Sequence, residues 1–233
     1  MMERQYYPQQ DQVVAIQSDF VRRVYNWMGI GLATTAVVAM LTFSSSTTSR
    51  LLAQYPGLML GLVLAELGLV IAISAGINRF RASSATLMFF IYSALNGVTL
   101  SVIFLVYAHS SIANTFFVTA GMFAIMSVYG YTTRTDLTSL GNFLFMGLIG
   151  IILASVVNIF LGSQSLDWII SCLGVIIFVG LTAYDTQSIK AMAHGGFADA
   201  ETEQKAAVIG ALRLYLDFIN LFLMLLRLFG RRD

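Results

Sequence analysis

Long apolar runs separated by short polar connections dominate this chain of 233 residues. A helix that crosses a bilayer needs roughly 20 apolar residues, and a run of that length with few charges is typical of such a helix. We predict seven of them, over residues 25–43, 58–77, 85–107, 113–131, 142–161, 166–192 and 206–229. The sequence therefore predicts an all-α membrane protein that crosses the bilayer seven times.

The composition supports this class and excludes several functions. Hydrophobic residues make up 58% of the chain and charged residues only 11%, against about 25% charged in a soluble domain. A net charge of +1 gives no basic surface for nucleic acid. The single cysteine, Cys172, lies in an apolar run, which excludes an intramolecular disulfide and a zinc cluster. The connections leave no room for a soluble catalytic domain, and no P-loop, H-E-x-x-H or G-x-S-x-G motif occurs. We therefore expect neither an enzyme nor a cofactor.

Positive charges near the helix ends predict the orientation. We divide the chain into an N-terminal tail (1–24), a transmembrane domain (25–229) and a C-terminal tail (230–233). The N-terminal tail carries acidic residues ahead of any apolar run, unlike a cleavable signal peptide. Cytoplasmic segments are enriched in Lys and Arg, which predicts a cytoplasmic N-terminus. That side would hold Arg4, Arg22, Arg23, Arg79, Arg81, Arg134, Lys190 and Lys205, and the other side Arg50, Arg227, Arg231 and Arg232. Seven helices place the basic C-terminus on the non-cytoplasmic side, against the enrichment of Lys and Arg in the cytoplasm. If the sixth segment were only half inserted, the C-terminus would lie in the cytoplasm instead.

The last predicted helix carries a charged residue deep in its apolar run. Asp217 lies in "LRLYLDFINLFLMLLRLF", roughly 15 Å past a helix start near residue 206 and close to the bilayer centre. Gly210, Arg213, Asp217 and Asn220 follow at spacings of 3, 4 and 3, which places them on one helix face. A helix with one polar stripe is expected inside the bundle, because charges in a bilayer are costly and face the protein interior or water.

Asp185 lies at the end of another apolar run, "WIISCLGVIIFVGLTAYD". Nothing after it breaks a helix before Met192, so we expect Asp185 roughly 10 Å from the helix end. The next helix enters from the same side, which predicts that Asp185 and Asp217 meet at similar depth. Two neighbouring carboxyl groups do not both ionise easily and titrate as a unit. Such a pair is a candidate calcium site, proton sensor or latch between helices. The alternative is a structural cluster in which Arg213 pairs with Asp217 one turn away.

Other polar residues in the apolar runs leave two interpretations open. Glu66 is either a protonated carboxyl that bonds a neighbouring helix or a further ligand or proton-relay group. Asn96, Asn158 and Asn220 are predicted to form hydrogen bonds between helices. An intramembrane aspartyl protease also carries one aspartate on each of two adjacent helices. Its typical G-x-G-D context is absent from "AYDTQ" and "LYLDF".

Two of these segments resemble a known family. "GLTAYDTQSIK", followed some 30 residues later by "LYLDFINLFLMLLRLFG", resembles the Bax inhibitor family (transmembrane Bax-inhibitor-motif proteins), and "SALNGVTLSVIF" resembles its third helix. The length and the short loops are similar to those of a bacterial member. The resemblance implies a bacterial inner-membrane protein with six helices around the last one. It also implies a pH-sensitive calcium leak, with calcium as the transported ion, in which Asp185 and Asp217 are the sensor and Glu66 assists.

The same resemblance implies an arginine further along the second helix that pairs with Asp185, for which Arg79 and Arg81 are the nearest candidates. Two other functions stay open. Small residues at Gly57, Gly61 and Ala65 form one helix face, which would suit a regulator that binds a membrane protein partner, such as a protease. A proton-coupled cation antiporter is the third possibility. In each case the expected surroundings are the lipid bilayer, with calcium and protons as the small partners of the two transport functions.

Overall fold

The computed structural model describes residues 10–45, 48, 52, 54–194 and 196–231. Three of the positively charged residues behind the predicted orientation, Arg4, Arg50 and Arg232, lie outside the described residues. The same holds for the first nine residues of the predicted N-terminal tail and the last two residues of the C-terminal tail.

The described residues form eight helices: α1 (Gln10–Ser44), α2 (Pro56–Gly76), α3 (Ala82–Leu100), α4 (Ile103–Val106), α5 (His109–Thr132), α6 (Thr138–Leu161), α7 (Gln164–Met192) and α8 (Ala200–Phe229). The short α4 continues α3 after a turn at residues 101–102. In the described part of the chain, seven segments are long and apolar enough to cross a membrane, with α3 and α4 counted as one. The predicted fold class is therefore confirmed.

The first and last helices begin six or more residues before their apolar runs. The first begins at Gln10 and the last at Ala200, whereas the sequence predicted residues 25 and 206. Asp199 explains the start of α8, because its Oδ1 accepts a hydrogen bond of 2.7 Å from the Thr202 amide. Asp199 is the N-cap residue of α8. Asp is among the preferred residues at an N-cap, because its side chain satisfies a backbone amide that has no partner within the helix. These first turns are polar, so a search for apolar runs does not find them.

The last helix is the central one. It packs against α1, α3, α5 and α7, and 67% of its apolar stretch is buried, against 6% for α2. The second helix packs mainly on α3, and Gly57, Gly61 and Ala65 on its surface are exposed. A central α8 is the arrangement expected from its polar stripe, because charges in a bilayer are costly and face the protein interior or water.

A glycine sets the distance between α5 and α7. Gly130 lies so close to the backbone of Ala183 that a Cβ atom there would overlap it. Small residues let helix backbones approach closely in a membrane, where no hydrophobic force drives the helices together. This contact holds α7 at the depth and rotation that place Asp185 and Thr186, which follow Ala183 by two and three residues.

Candidate functional site

A cavity of about 550 Å³ lies between α2 and α6, with α7 and α8 as its floor. We call it the carboxyl cavity. Its polar lining includes all five of the intramembrane residues that the sequence singled out around the aspartates: Glu66, Asp185, Arg213, Asp217 and Asn220. Most of the remaining lining is apolar and comes from α2, α6 and α7. The fold therefore gathers residues from three helices around one space.

The carboxyl cavity follows α8 from Arg213 to Met224, about 16 Å along the helix axis. That length is about half of a hydrocarbon core of roughly 30 Å. Asp185 and Arg213 lie at the end nearest the connection between α7 and α8, because they are the lining residues closest to that connection on each helix. The charged pair thus lies at one end of a cavity that covers about half of the membrane.

Helix periodicity explains why the aspartates face each other's helices. On α7, Phe178, Leu181, Asp185 and Ile189 are buried at helical spacing. Leu214, Asp217 and Leu221 repeat that pattern on α8. The two helices are antiparallel neighbours with extensive packing, so each aspartate occupies a position that an apolar residue holds one turn earlier or later.

Asp185 and Asp217 lie in the interior and not at the membrane rim. Each is only 4% exposed, and α7 continues beyond Asp185 to Met192, as the sequence predicted. The two carboxyl groups are close enough to interact electrostatically. Among the described residues, Asp185 Oδ1 and Asp217 Oδ2 are buried without a hydrogen-bond partner. Such groups are rare in native structures and are frequently found at functional sites.

Arg213 pairs across the helix interface. Its Nη1 lies 3.8 Å from Asp185 Oδ1, and Asp217 is also within its electrostatic range. The structural alternative from the sequence placed Arg213 with Asp217 on the same helix, but the ion pair that forms is with Asp185. The guanidinium therefore connects α8 to α7 at the end of the carboxyl cavity nearest the α7–α8 connection.

Glu66 is held by two hydrogen bonds from α3. Its Oε1 accepts from Thr99 Oγ1 at 2.8 Å and its Oε2 accepts from Asn96 Nδ2 at 3.1 Å. Asn96 Oδ1 accepts in turn from Tyr215 Oη at 3.0 Å, and Tyr215 Oη lies 2.6 Å from Thr35 Oγ1. This set of residues, which we call the four-helix network, links α2, α3, α8 and α1. It fits the interpretation of Glu66 as a bond between helices, although the same carboxyl group also lines the carboxyl cavity.

The predicted role of the asparagines is confirmed only for Asn96. Asn158 Oδ1 accepts from the Ser163 amide at 3.0 Å, in the turn between α6 and α7. Asn220 Nδ2 donates to the Leu216 carbonyl of its own helix at 2.8 Å. The prediction of bonds between helices was wrong for these two, because each side chain bonds a backbone group within its own helical turn or the adjoining loop.

The candidate latch arginines lie elsewhere. Arg79 and Arg81 are exposed at the turn between α2 and α3, and neither lines the carboxyl cavity. No ion pair within the described part of the chain includes either of them. The arginine beside Asp185 is Arg213, supplied by α8.

The carboxyl groups of the site do not form a metal-binding cluster. No group of three or more His, Cys, Asp or Glu residues with metal-binding geometry occurs among the described residues. A cation beside Asp185 and Asp217 would complete its shell with amide, carbonyl or water oxygens. Calcium accepts such mixed oxygen ligands in flexible geometry, and few charged ligands give weak binding. Weak binding is what an ion in transit requires.

Sequence reasoning missed a second polar cluster, on another face of α7 and α8. Tyr25 Oη lies 2.8 Å from Thr186 Oγ1, and Ser127 adjoins Tyr25. These residues line a groove of about 470 Å³ between α1 and α5, which we call the α1–α5 groove. The sequence contains only weak signals of this cluster. Thr186 directly follows Asp185, and Tyr25 lies at the predicted start of its helix, where tyrosine is common at a membrane interface.

Comparison with known proteins agrees with this architecture. The family model described as "Inhibitor of apoptosis-promoting Bax1" matches residues 17–233. Inner membrane protein YbhL of Escherichia coli strain K12 is 50% identical over 230 residues, which cover 97% of this chain and 98% of YbhL. An uncharacterized protein of Borreliella burgdorferi is 48% identical over 96% of this chain and 97% of its own length. An uncharacterized membrane protein of Streptococcus pyogenes serotype M6 is 39% identical, with 96% and 99% covered. Matched over almost its whole length, this chain belongs to the Bax inhibitor family of membrane proteins.

Proposed function

We propose that the protein is a pH-sensitive cation channel of the bacterial inner membrane that conducts calcium, with Asp185 and Asp217 as its titrating, ion-binding groups. The observation that carries the proposal is the carboxyl cavity, which ends at two buried, mutually close carboxyl groups and a guanidinium. A space that covers about half of the membrane and ends in acidic side chains suits the entry and temporary binding of a cation.

Protons and cations compete at such a site. An ionised aspartate attracts a cation, whereas a protonated one offers only a weak dipole, so the charge of the pair sets the affinity for the ion. The site has a third state in addition to the protonated and the cation-bound ones, because the Arg213 guanidinium is itself a cation held beside Asp185. Conduction then requires Arg213 to move away from Asp185, and the protonation of Asp185 and Asp217 controls how strongly it is held.

Calcium flux into liposomes that contain the purified protein tests the proposal. Flux is followed with an enclosed calcium indicator in a series of buffers from mildly acidic to mildly alkaline. We expect pH-dependent flux in the wild type and loss of the pH dependence in Asp217→Asn. Asp167→Asn is the matched control, because Asp167 is a half-exposed carboxylate near the other end of α7 with Arg227 as its partner.

Three outcomes separate the candidate functions. If Asp217→Asn keeps both the flux and its pH dependence, the aspartates are not the sensor. If the folded wild type passes no calcium but retains a membrane protein partner through purification, the regulator is favoured, and the exposed face at Gly57, Gly61 and Ala65 is the surface to test. If flux occurs only with an imposed proton gradient, the protein is an antiporter.

We also propose that the N-terminus lies in the cytoplasm. The start of α1 and the start of α8 lie at the same end of the bundle, since Arg23 forms an ion pair of 3.3 Å with Glu203. Arg22, Arg134 and Lys190 belong to this end as well, and cytoplasmic ends are rich in Lys and Arg. Single cysteines at exposed positions 22 and 134 would react with an impermeant thiol reagent only from the cytoplasmic side. If either cysteine is labelled in intact cells, the N-terminus lies on the outer side of the membrane, and the proposed orientation is wrong.

A further inference from the structure

The α1–α5 groove and the carboxyl cavity meet α7 and α8 on different faces. Thr186 and Phe218 face the groove, and each directly follows an aspartate that faces the cavity. Successive residues on a helix point about 100° apart. The two spaces are therefore separated only by the thickness of the α7–α8 pair at the level of Asp185 and Asp217.

The two spaces also occupy different depths. The groove follows α1 from Val21 to Gly29 and so begins about 6 Å inside the membrane-spanning part of α1, which starts at Gln17. On α5 it extends to Tyr131, one residue before the helix ends. The groove thus starts near the membrane surface at the N-terminal end of α1 and reaches the level of the aspartates. The carboxyl cavity overlaps it in depth from Arg213 to Phe218 and continues toward the other surface.

Three hydroxyl groups lie behind the largely apolar wall of the groove. Tyr25 Oη and Thr186 Oγ1 are hydrogen-bonded at 2.8 Å. Ser127 Oγ lies next to Tyr25, is buried, and has no hydrogen-bond partner of good geometry. Tyr25 is also within electrostatic range of Asp217, whose Oδ2 is buried without a hydrogen-bond partner, as is Asp185 Oδ1. Buried polar atoms of this kind are usually completed by water, and Tyr25 interacts with both Ser127 and Asp217.

We infer that Tyr25, Ser127 and Thr186 form a proton relay between the α1–α5 groove and Asp217. A proton that arrives from water in the groove binds a hydroxyl oxygen, and that hydroxyl releases its own proton to the next oxygen. The last transfer is to an Asp217 oxygen, so no net charge remains on the hydroxyls. Asp217 then receives protons from the groove, while cations reach the aspartates through the carboxyl cavity.

The charged and titratable groups around the end of the relay are few. Asp217 faces Asp185 from α7, Arg213 from its own helix and Tyr25 from α1. Glu66 from α2 and Tyr92 from α3 line the same cavity. The inference rests on the proposed function in one respect: it needs a carboxyl group at Asp217 that gains and loses a proton.

Time-resolved infrared spectroscopy after a pH jump tests the relay without measuring flux. The protein in lipid nanodiscs is shifted from mildly alkaline to mildly acidic buffer, and the rise of the protonated-carboxyl band is followed. The band that disappears in Asp217→Asn is assigned to Asp217. We expect Tyr25→Phe to slow the rise of that band about tenfold, equivalent to about 1.4 kcal/mol on the barrier, with its final amplitude unchanged.

Ser127→Ala is the second relay variant and should also slow the rise of the band. It keeps the test available if Tyr25→Phe fails to fold. Tyr131→Phe is the matched control, since it removes a hydroxyl from the same groove outside the proposed path. Unchanged rates in both relay variants overturn the relay, and phospholipid retained in the groove would then identify it as a lipid site. A wild type without an Asp217 band overturns it too. Slowed protonation in a protein that passes no calcium supports the relay while refuting the channel.

Discussion

Arg213 reaches across from α8 to Asp185 on α7, with 3.8 Å between Nη1 and Oδ1, although Asp217 lies only one turn away on its own helix. The arginine side chain is 43% exposed and the aspartate side chain 6%. The positive charge therefore lies in the carboxyl cavity and the negative charge in its wall. In the proposed channel, the guanidinium occupies the place that a conducted cation would take.

Replacing this arginine should open the site. In Arg213→Gln, we expect calcium flux into liposomes at neutral pH to rise about fivefold, because a partly exposed ion pair contributes about 1 kcal/mol. Arg227→Gln is the control, since Arg227 pairs with Asp167 at similar exposure, 3.6 Å apart, and should leave flux unchanged. A lower flux in Arg213→Gln would show that the arginine supports conduction.

The close contact between α5 and α7 should be sensitive to a single methyl group. In Gly130→Ala the added Cβ would overlap the Ala183 backbone, so we expect a loss of about 1–3 kcal/mol in stability from overpacking. Gly121→Ala on the same helix meets no atom within 4 Å and should be neutral or slightly stabilising, because alanine is the better helix former. Thermal unfolding of the two variants in the same detergent measures the difference. Equal melting temperatures would contradict the close contact.

The four-helix network should contribute to stability through Tyr215. Tyr215→Phe removes the hydroxyl that donates to Asn96 Oδ1, whereas Thr35 keeps its bond to the Ser93 carbonyl at 2.8 Å. We expect a loss of about 1 kcal/mol, since Asn96 Oδ1 would be left without a partner. Tyr129→Phe, at a tyrosine that is 46% exposed, should change nothing. A spin label on α2 should also become more mobile in Tyr215→Phe, because Asn96 holds Glu66; unchanged mobility would mean that Thr99 alone is sufficient.

The start of α8 should depend on pH through Asp199. The hydrogen bonds that Asp199 accepts from Thr202 hold the pKa of its carboxyl below the ordinary value of 3.8. A lowered pKa in the folded state means that the stabilisation is complete above the ordinary value and is lost as the pH falls through the lowered one. The protection of the Thr202 amide from hydrogen exchange measures it. Asp199→Ala should lose protection at every pH, whereas Asp199→Asn, which can still accept a hydrogen bond, should lose the pH dependence alone.

Much of the fold follows from properties of single helices. Length and hydropathy along each run predict the seven spans, and the absence of a breaker after Asp185 predicts the end of α7 at Met192. The spacing of Gly210, Arg213, Asp217 and Asn220 predicts an inner position for the last helix. Each of these inferences needs only the rise and the turn of one helix, so the sequence is sufficient.

Helix starts were less predictable, because polar first turns lie outside the apolar runs. The ten residues before Ala206 contain acidic groups and a glycine, which suggested a loop. The structure begins α8 at Ala200 after the cap at Asp199. Caps are local, but they are recognised with certainty only when the side chain is seen to bond the amide.

The partners of the charged residues were decided by the tertiary structure. The sequence by itself determined that Asp185 and Asp217 lie in apolar surroundings at comparable depth, because depth is counted along one helix. It did not determine that Arg213 pairs with Asp185, that Glu66 bonds Asn96, or that Tyr25 meets Thr186, which is 161 residues away. Those contacts depend on how far each helix is rotated and how closely it packs. Close contacts such as that between Gly130 and Ala183 set both quantities, and they exist only once the helices have come together.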